Sequence, residues 1–496
     1  MTYQSVGFLL AFLPLTAGFY QLVKREYRWA VLLIASLVFC WSWSRFLSLY
    51  AVLISLLTYY AGKYLSSLKG KENKQKKKRV LHILIVLLLL GLGVFKYSNW
   101  IIDTVNHLFS LNIDRFNLIA PIGISYFTLQ AISYLCDVKN RKYEPCDHIG
   151  KLMLYLVFFP TVVQGPIARF QEIECGNDIT ASNLRIGFER IVWGLFQKLV
   201  IADHLAMPVN LLFDKIPKNG FVSLMAAVLC TIQLYMDFKG CTDIAIGAAY
   251  IFGITLPENF RQPFSAKNAG DFWRRWHMTL GRFFRDYIFY PVSLSRPVMK
   301  LSLRLSKDAG KKAGKYSSAV IALLCVWLAN GLWHGPSWTY VGYGLYYFVL
   351  MVMELFFEKP FEAWAERHPR FPLKAFRLIK LMIIVMIGEM FFRAPSFMHG
   401  WKMLMSMIFN MNAREGVRML RGLGMDSYDM VTVFLGFAFV MIVDILKEKN
   451  VDLNGIYRRQ SMAVRFALLY ALIFAVIIFG AYGPGFGKAG MMYAGF

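Results

Sequence analysis

Apolar runs of about twenty residues, separated by short basic segments, set the rhythm of the chain. They fall at 6–23, 29–45, 48–66, 80–97 and 119–137, then near 150–170, 186–213, 221–253, 317–334, 337–357, 376–392, 429–446 and 464–482. A helix needs ~20 mostly apolar residues to cross a hydrocarbon core, so the pattern predicts an all-α polytopic membrane protein with about eleven to thirteen spans. Several runs are interrupted by Pro or Gly, as in FFPTVVQGPIARF at 158–170. Broken backbone at membrane depth is tolerated only where protein or a water-filled cavity satisfies it, so these breaks predict an internal cavity. The polar residues at 98–118 are expected along the outer interface.

The charged positions orient the runs. Lys24, Arg25 and Arg28 follow the first, and KGKENKQKKKR at 69–79 follows the third. Both segments go to the cytoplasm by the positive-inside rule, which puts the N-terminus outside. The same rule places 256–316 inside, with Arg296, Lys300, Arg304 and Lys307 near its end, and leaves the C-terminus outside. The net charge of +25 follows from this clustering, with membrane lipid headgroups as counterions and no nucleic-acid signature. Seven scattered cysteines form neither a disulfide framework nor a metal-ligand spacing, and no metal site is expected.

Candidate chemistry concentrates between Pro257 and His334. Read as one helix over 271–287, the sequence puts Phe272, Trp276, Leu280, Phe283 and Tyr287 on one face and Arg274, Arg275, Arg282 and Arg285 on the other. His277 sits at the border. The arginines either snorkel from an interfacial helix or hold the phosphates of a donor. His334 lies at the end of an apolar run, immediately before Gly335 and Pro336. An ionisable group at membrane depth is a functional candidate, and imidazole is suited to proton transfer near neutral pH; the alternative is a helix-end packing role. Asp237 and Asp243, within an apolar stretch, either pair inside the bundle or orient a catalytic histidine.

Six stretches then occur in order: PIGISYFTLQAISYLCDV (121–138), QGPIARFQE (164–172), DFKGCTDIAIG (237–247), PENFRQPF (257–264), DFWRRWHMTL (271–280) and GLWHGPSWT (331–339). Together they resemble the membrane-bound O-acyltransferase family, in its bacterial alginate O-acetyltransferase-like branch. The resemblance implies a ring of helices around a central funnel, with re-entrant and interfacial helices. It implies a core over 1–358 carrying the funnel, and C-terminal helices with an aromatic tail over 359–496. It also implies transfer of an acyl group from a cytoplasmic thioester, expected to be acetyl-CoA with no bound cofactor, toward a cell-surface or exported polysaccharide or an extracytoplasmic partner acyltransferase. His334 falls on the family's near-invariant histidine and His277 on its second. Arg274, Arg275 and Trp276 become candidate donor-binding residues. Tyr493, in MMYAGF, resembles the tyrosine of a terminal motif and is either an acyl relay or an interfacial anchor. Lys239 and Cys241 depart from the family's usual small and aromatic residues. D-alanyl transfer to teichoic acid is the rival within the family, and a transporter or export channel the rival outside it.

Overall fold

The computed structural model describes residues 1–118, 123–214, 219–308, 310–370, 372–420 and 426–482. Among them the ordered backbone is helical, apart from one isolated antiparallel bridge between Phe260 and Trp276. Six of these helices are long and apolar enough to cross a membrane: Lys74–Phe109, Gly220–Ile251, Lys311–His334, Trp338–Arg367, Ser427–Glu448 and Met462–Phe479. The expected runs at 29–45, 48–66 and 376–392 form the helices Arg28–Trp43, Arg45–Ser67 and Leu373–Arg393. The chain is an all-α polytopic membrane protein.

The chain divides into two compact units, to both of which the Gly220–Ile251 helix contributes. The first comprises Met1–Ile191 and Cys241–Glu258. At its centre lies Ile124–Lys139, a helix buried on nearly every side. A helix buried on every face, polar positions such as Gln130 and Ser133 included, needs neighbours that enclose it. Here Arg45–Ser67 and Lys74–Phe109 supply the enclosure. The interrupted run at 158–170 behaves as its composition requires. The helix stops at Val157, and residues 158–168 continue as buried, non-helical backbone. A Cβ at Gly165 would meet the Pro160 carbonyl oxygen at 2.0 Å, so only glycine lets the chain fold this closely on itself.

Part of the segment expected along the outer interface is helical. Lys74–Phe109 extends a full twelve residues past the predicted end at 97. Asn99, Asp103 and Asn106 share one face at i, i+4 and i+7. Each binds the returning strand of chain: Asn99 exchanges two bonds with Phe116 (2.8 and 3.0 Å), and Asn106 two with Ile113 (both 2.9 Å). Asp103 accepts a bidentate pair from Arg115 at 2.7 and 2.9 Å. The polar residues thus pin the segment after the helix without ending it.

The second unit comprises Val192–Gly240 and the described residues from Asn259 onward. Within it the antiparallel helices Lys311–His334 and Trp338–Arg367 pack against each other, joined by Gly335, Pro336 and Ser337. Ser337 caps the second helix by accepting from the Thr339 N–H at 3.2 Å. Close approach of the two helices needs Gly331, where a Cβ would meet the Tyr340 carbonyl oxygen at 2.3 Å. The amphipathic Arg296–Asp308 helix packs along Lys311–His334.

Candidate active site

The stretch 269–284 is two helices, Ala269–Arg275 and Met278–Phe284, with a break at Trp276 and His277. The continuous helix expected over 271–287 therefore does not form. Its facial pattern survives in part, since Phe272, Trp276, Leu280 and Phe283 are buried while Arg274 and Arg285 are exposed. The break has identifiable anchors on both sides. Upstream, Glu354 accepts from the Ala269 and Gly270 N–H groups at 2.7 and 2.9 Å, holding the helix N-terminus with a carboxylate. Downstream, the bridge to the 257–264 segment takes over: Arg261 N–H donates to the Arg275 carbonyl, and Met278 N–H to the Asn259 carbonyl, each at 2.9 Å.

His277 occupies the turn with φ 45°, in the left-handed region that non-glycine residues rarely adopt. Such backbone costs of order 1–3 kcal/mol and persists where surrounding structure over-determines it. What determines it here is Asn259. The Asn259 side-chain oxygen accepts from the Thr279 N–H at 3.3 Å and the Thr279 hydroxyl at 2.9 Å, and lies 3.1 Å from His277 Nδ1. A backbone N–H can only donate, so the Thr279 contact fixes which end of the amide faces the ring. His277 Nδ1 must then carry the proton, and Nε2 keeps its lone pair. That nitrogen is buried, with no hydrogen-bond partner among the described residues. Burial pushes the imidazole down to about 3, so the ring is neutral at ordinary pH.

Aromatic rings surround the two histidines. Phe238 meets His277 edge-on at 4.7 Å, and Trp333 meets it at 5.4 Å. The same Trp333 lies 4.9 Å from His334, so a single indole stands beside both imidazoles. His334 ends the Lys311–His334 helix, 3% exposed, with Phe392 perpendicular to it at 4.9 Å and Tyr343 at 5.7 Å. A Cβ at Gly335 would strike the Tyr340 ring at 2.7 Å, so glycine there lets Tyr340 fold back toward the histidine. One turn before His334, Asn330 is buried, its side-chain oxygen without a partner among the described residues. A neutral imidazole among aromatic rings, with its Nε2 lone pair unused as at His277, can accept a hydrogen bond from a substrate or take a proton from a hydroxyl.

This histidine arrangement stands within a chain whose residues 35–303 match the membrane-bound O-acyltransferase family. The chain belongs to that family. It is a multi-pass membrane enzyme, an O-acyltransferase. It is 30% identical to the "Probable alginate O-acetylase AlgI" of Pseudomonas aeruginosa, over 82% of this chain and 75% of that protein. The "Peptidoglycan O-acetyltransferase" of Helicobacter pylori is 29% identical, over 64% of this chain and 62% of its own length. The "Teichoic acid D-alanyltransferase" of Bacillus subtilis is 31% identical, over 57% of this chain and 71% of its own length.

The other expected site residues of this acyltransferase fall as follows. Arg275 is held by Asp271 at 3.2 Å and Glu448 at 2.7 Å. Trp276 is enclosed by Phe260, Phe272 and Tyr235, 5.1 to 5.7 Å away. Arg274 projects outward, 71% exposed, with Asp271 at 3.4 Å. Tyr493 lies outside the described residues. Asp237 and Asp243 pair with Lys198 (2.6 Å) and Arg190 (2.8 Å) respectively. Reading the sequence missed Asn259 and Trp333. Asn259 is in PENFRQPF, where an asparagine between apolar and turn residues gives no sign of its partner eighteen positions on. Trp333 is adjacent to His334, but only the folded chain brings His277 against it.

Proposed function

We infer that this enzyme transfers acetyl groups from cytoplasmic acetyl-CoA for O-acetylation of a cell-surface or exported polysaccharide. The observation that carries the reading is the pair of buried imidazoles on one indole, in a chain whose relatives include an alginate O-acetylase and a peptidoglycan O-acetyltransferase. His334 acts as general base. It takes the proton of the accepting hydroxyl as that oxygen attacks the thioester carbonyl carbon. The new C–O bond forms, the C–S bond breaks, and the departing thiolate receives the proton. His277, presenting only a lone pair at Nε2, orients the reactants by accepting a hydrogen bond. Arg274, the exposed arginine of the candidate set, contacts the donor's phosphates as it docks, while Arg275 and Trp276 hold the turn that carries His277.

The first accepting hydroxyl is the Tyr493 phenol, which relays the group to an extracytoplasmic partner acyltransferase, or the polysaccharide itself. The protein resides in the bacterial cytoplasmic membrane, with both termini outside. D-alanyl transfer is the second reading, supported by the 31% identity to a teichoic acid D-alanyltransferase. The test is proteoliposome assay with labelled acetyl-CoA, paired with envelope fractionation after labelling cells with acetate or D-alanine. Acetate label that depends on His334 supports the proposal. Label from D-alanine alone selects the second reading, and transfer by folded His334→Ala at the wild-type rate removes the base assignment.

A further inference from the structure

A cavity of about 960 Å³ lies within the second unit, at the upper end of the ~300–1,000 Å³ that ligand pockets span. Its apolar lining includes Val228, Ile232, Met382, Met386, Phe437 and Met441. At one end the lining becomes basic, with Lys267, Lys374 and Arg377. Arg377 is engaged by Glu362 at 2.9 Å and Glu358 at 3.7 Å. The carboxylate at that end, Glu448, is taken by Arg275. Lys267 and Lys374 are exposed, and neither ammonium has an ion-pair partner among the described residues.

The dimensions are those of one bilayer leaflet. Lys374 and Met386 lie on the Leu373–Arg393 helix, and Glu448 and Phe437 on the Ser427–Glu448 helix. At 1.5 Å per residue, either pair measures about 16–18 Å from basic end to apolar end. Half of a ~30 Å hydrocarbon core is about 15 Å. Lys267 falls in 256–316, the segment that the positive-inside rule assigns to the cytoplasmic face, where anionic lipid is concentrated.

We propose that this cavity binds an anionic glycerophospholipid, its phosphate held by Lys267 and Lys374 and an acyl chain lying between Met382, Met386, Phe437 and Met441. Methionine walls suit a flexible chain, because the thioether side chain adapts its shape to what it contacts. A nucleotide-bearing thioester fits these walls poorly. The amides of its linking arm would find few uncharged polar side chains in the lining, Thr231 and Ser265, and buried amides left unbonded are costly.

The full-length protein, purified and placed in nanodiscs of phosphatidylcholine doped with phosphatidylglycerol, provides the test, with retained lipid read by native mass spectrometry. Enrichment of phosphatidylglycerol over the bulk ratio is expected. Lys267→Gln with Lys374→Gln should cut that enrichment by about tenfold, given the strength of cation–headgroup attraction. Met386→Trp should lower retention of both lipids. Equal retention of the two lipids by the wild type, or enrichment unchanged in the double lysine variant, overturns the proposal. So does displacement of the lipid by coenzyme A or by inorganic phosphate, which would give the cations to a soluble ligand. If Met386→Trp does not fold, the lysine pair decides alone, because both side chains are exposed.

Discussion

The imidazole pair at Trp333 and the ion-pair cluster at Lys198 are both buried polar sites of the second unit, and they treat their polar atoms in opposite ways. In the cluster, Lys198, within the π-helical turn Phe196–Ala202, lies 2.5 Å from Asp203 and 2.6 Å from Asp237. Lys239 donates to Gln197 at 2.8 Å, with its ammonium over the Trp193 and Tyr235 rings. Charge is matched by charge there, as burial demands. At the imidazoles, His277 Nε2, the Asn259 side-chain nitrogen and the Asn330 side-chain oxygen are buried without partners among the described residues. A buried polar atom left unbonded costs roughly 1–3 kcal/mol. Unused acceptors and donors such as these are what a substrate would satisfy. The cluster pairs its charges, whereas His277 keeps one ring nitrogen unused.

Substitutions can break that contrast. The largest effect is expected from His334→Ala, which should lower acyl transfer by about 10²–10⁴-fold in a radiolabel assay while leaving the melting temperature close to wild type. Lys198→Met should do the reverse. It strands two buried carboxylates, and a loss of about 3–5 kcal/mol in stability is expected from thermal or denaturant unfolding in detergent. An Lys198→Met protein of unchanged stability would mean that the cluster is not structural. Asn259→Ala removes three hydrogen bonds around His277 and should cost about 1–3 kcal/mol. It should also lower kcat more than KM changes, because the ring loses its orientation.

The pH dependence of stability sharpens the point. The His277 value in the folded protein lies below that of the unfolded chain, so the unfolded state binds the extra proton on acidification. Stability from this group is present above about 6.5, the ordinary imidazole value, and is lost as pH falls toward about 3. His277→Gln should therefore flatten the fall in melting temperature between pH 7 and pH 5. An identical slope in both proteins would refute the buried neutral assignment. The smallest change belongs to Arg274→Ala, within about 0.5 kcal/mol in stability, because an exposed ion pair contributes little. Its effect should appear in the KM for the thioester instead.

Much of the architecture was legible in the linear pattern. Apolar runs marked the helices because a chain in lipid must bond its own backbone, and length alone then separates spans from loops. At the Pro/Gly interruption of 158–170 the helix does break, and the backbone beyond Val157 is buried. Periodicity failed at 271–287, where the 3.6-residue pattern ran across a real break. Side chains on both short helices face the same core, so the hydrophobic pattern does not register the single left-handed residue between them. It also stopped the Lys74–Phe109 helix too early, by reading Asn99, Asp103 and Asn106 as an end when they form a polar face.

The sequence by itself determined that this is a helical membrane protein, which family it resembles, and that His277 and His334 are its distinctive ionisable groups, because hydropathy, charge placement and ordered motifs are local properties. Only the tertiary structure decided that one indole lies beside both imidazoles, that Asn259 sets the His277 tautomer, and that Arg275 is bound to Glu448. These depend on which segments meet across the fold. A hydrogen bond or ring contact acts over a few ångströms in space, however far apart its partners stand in the chain.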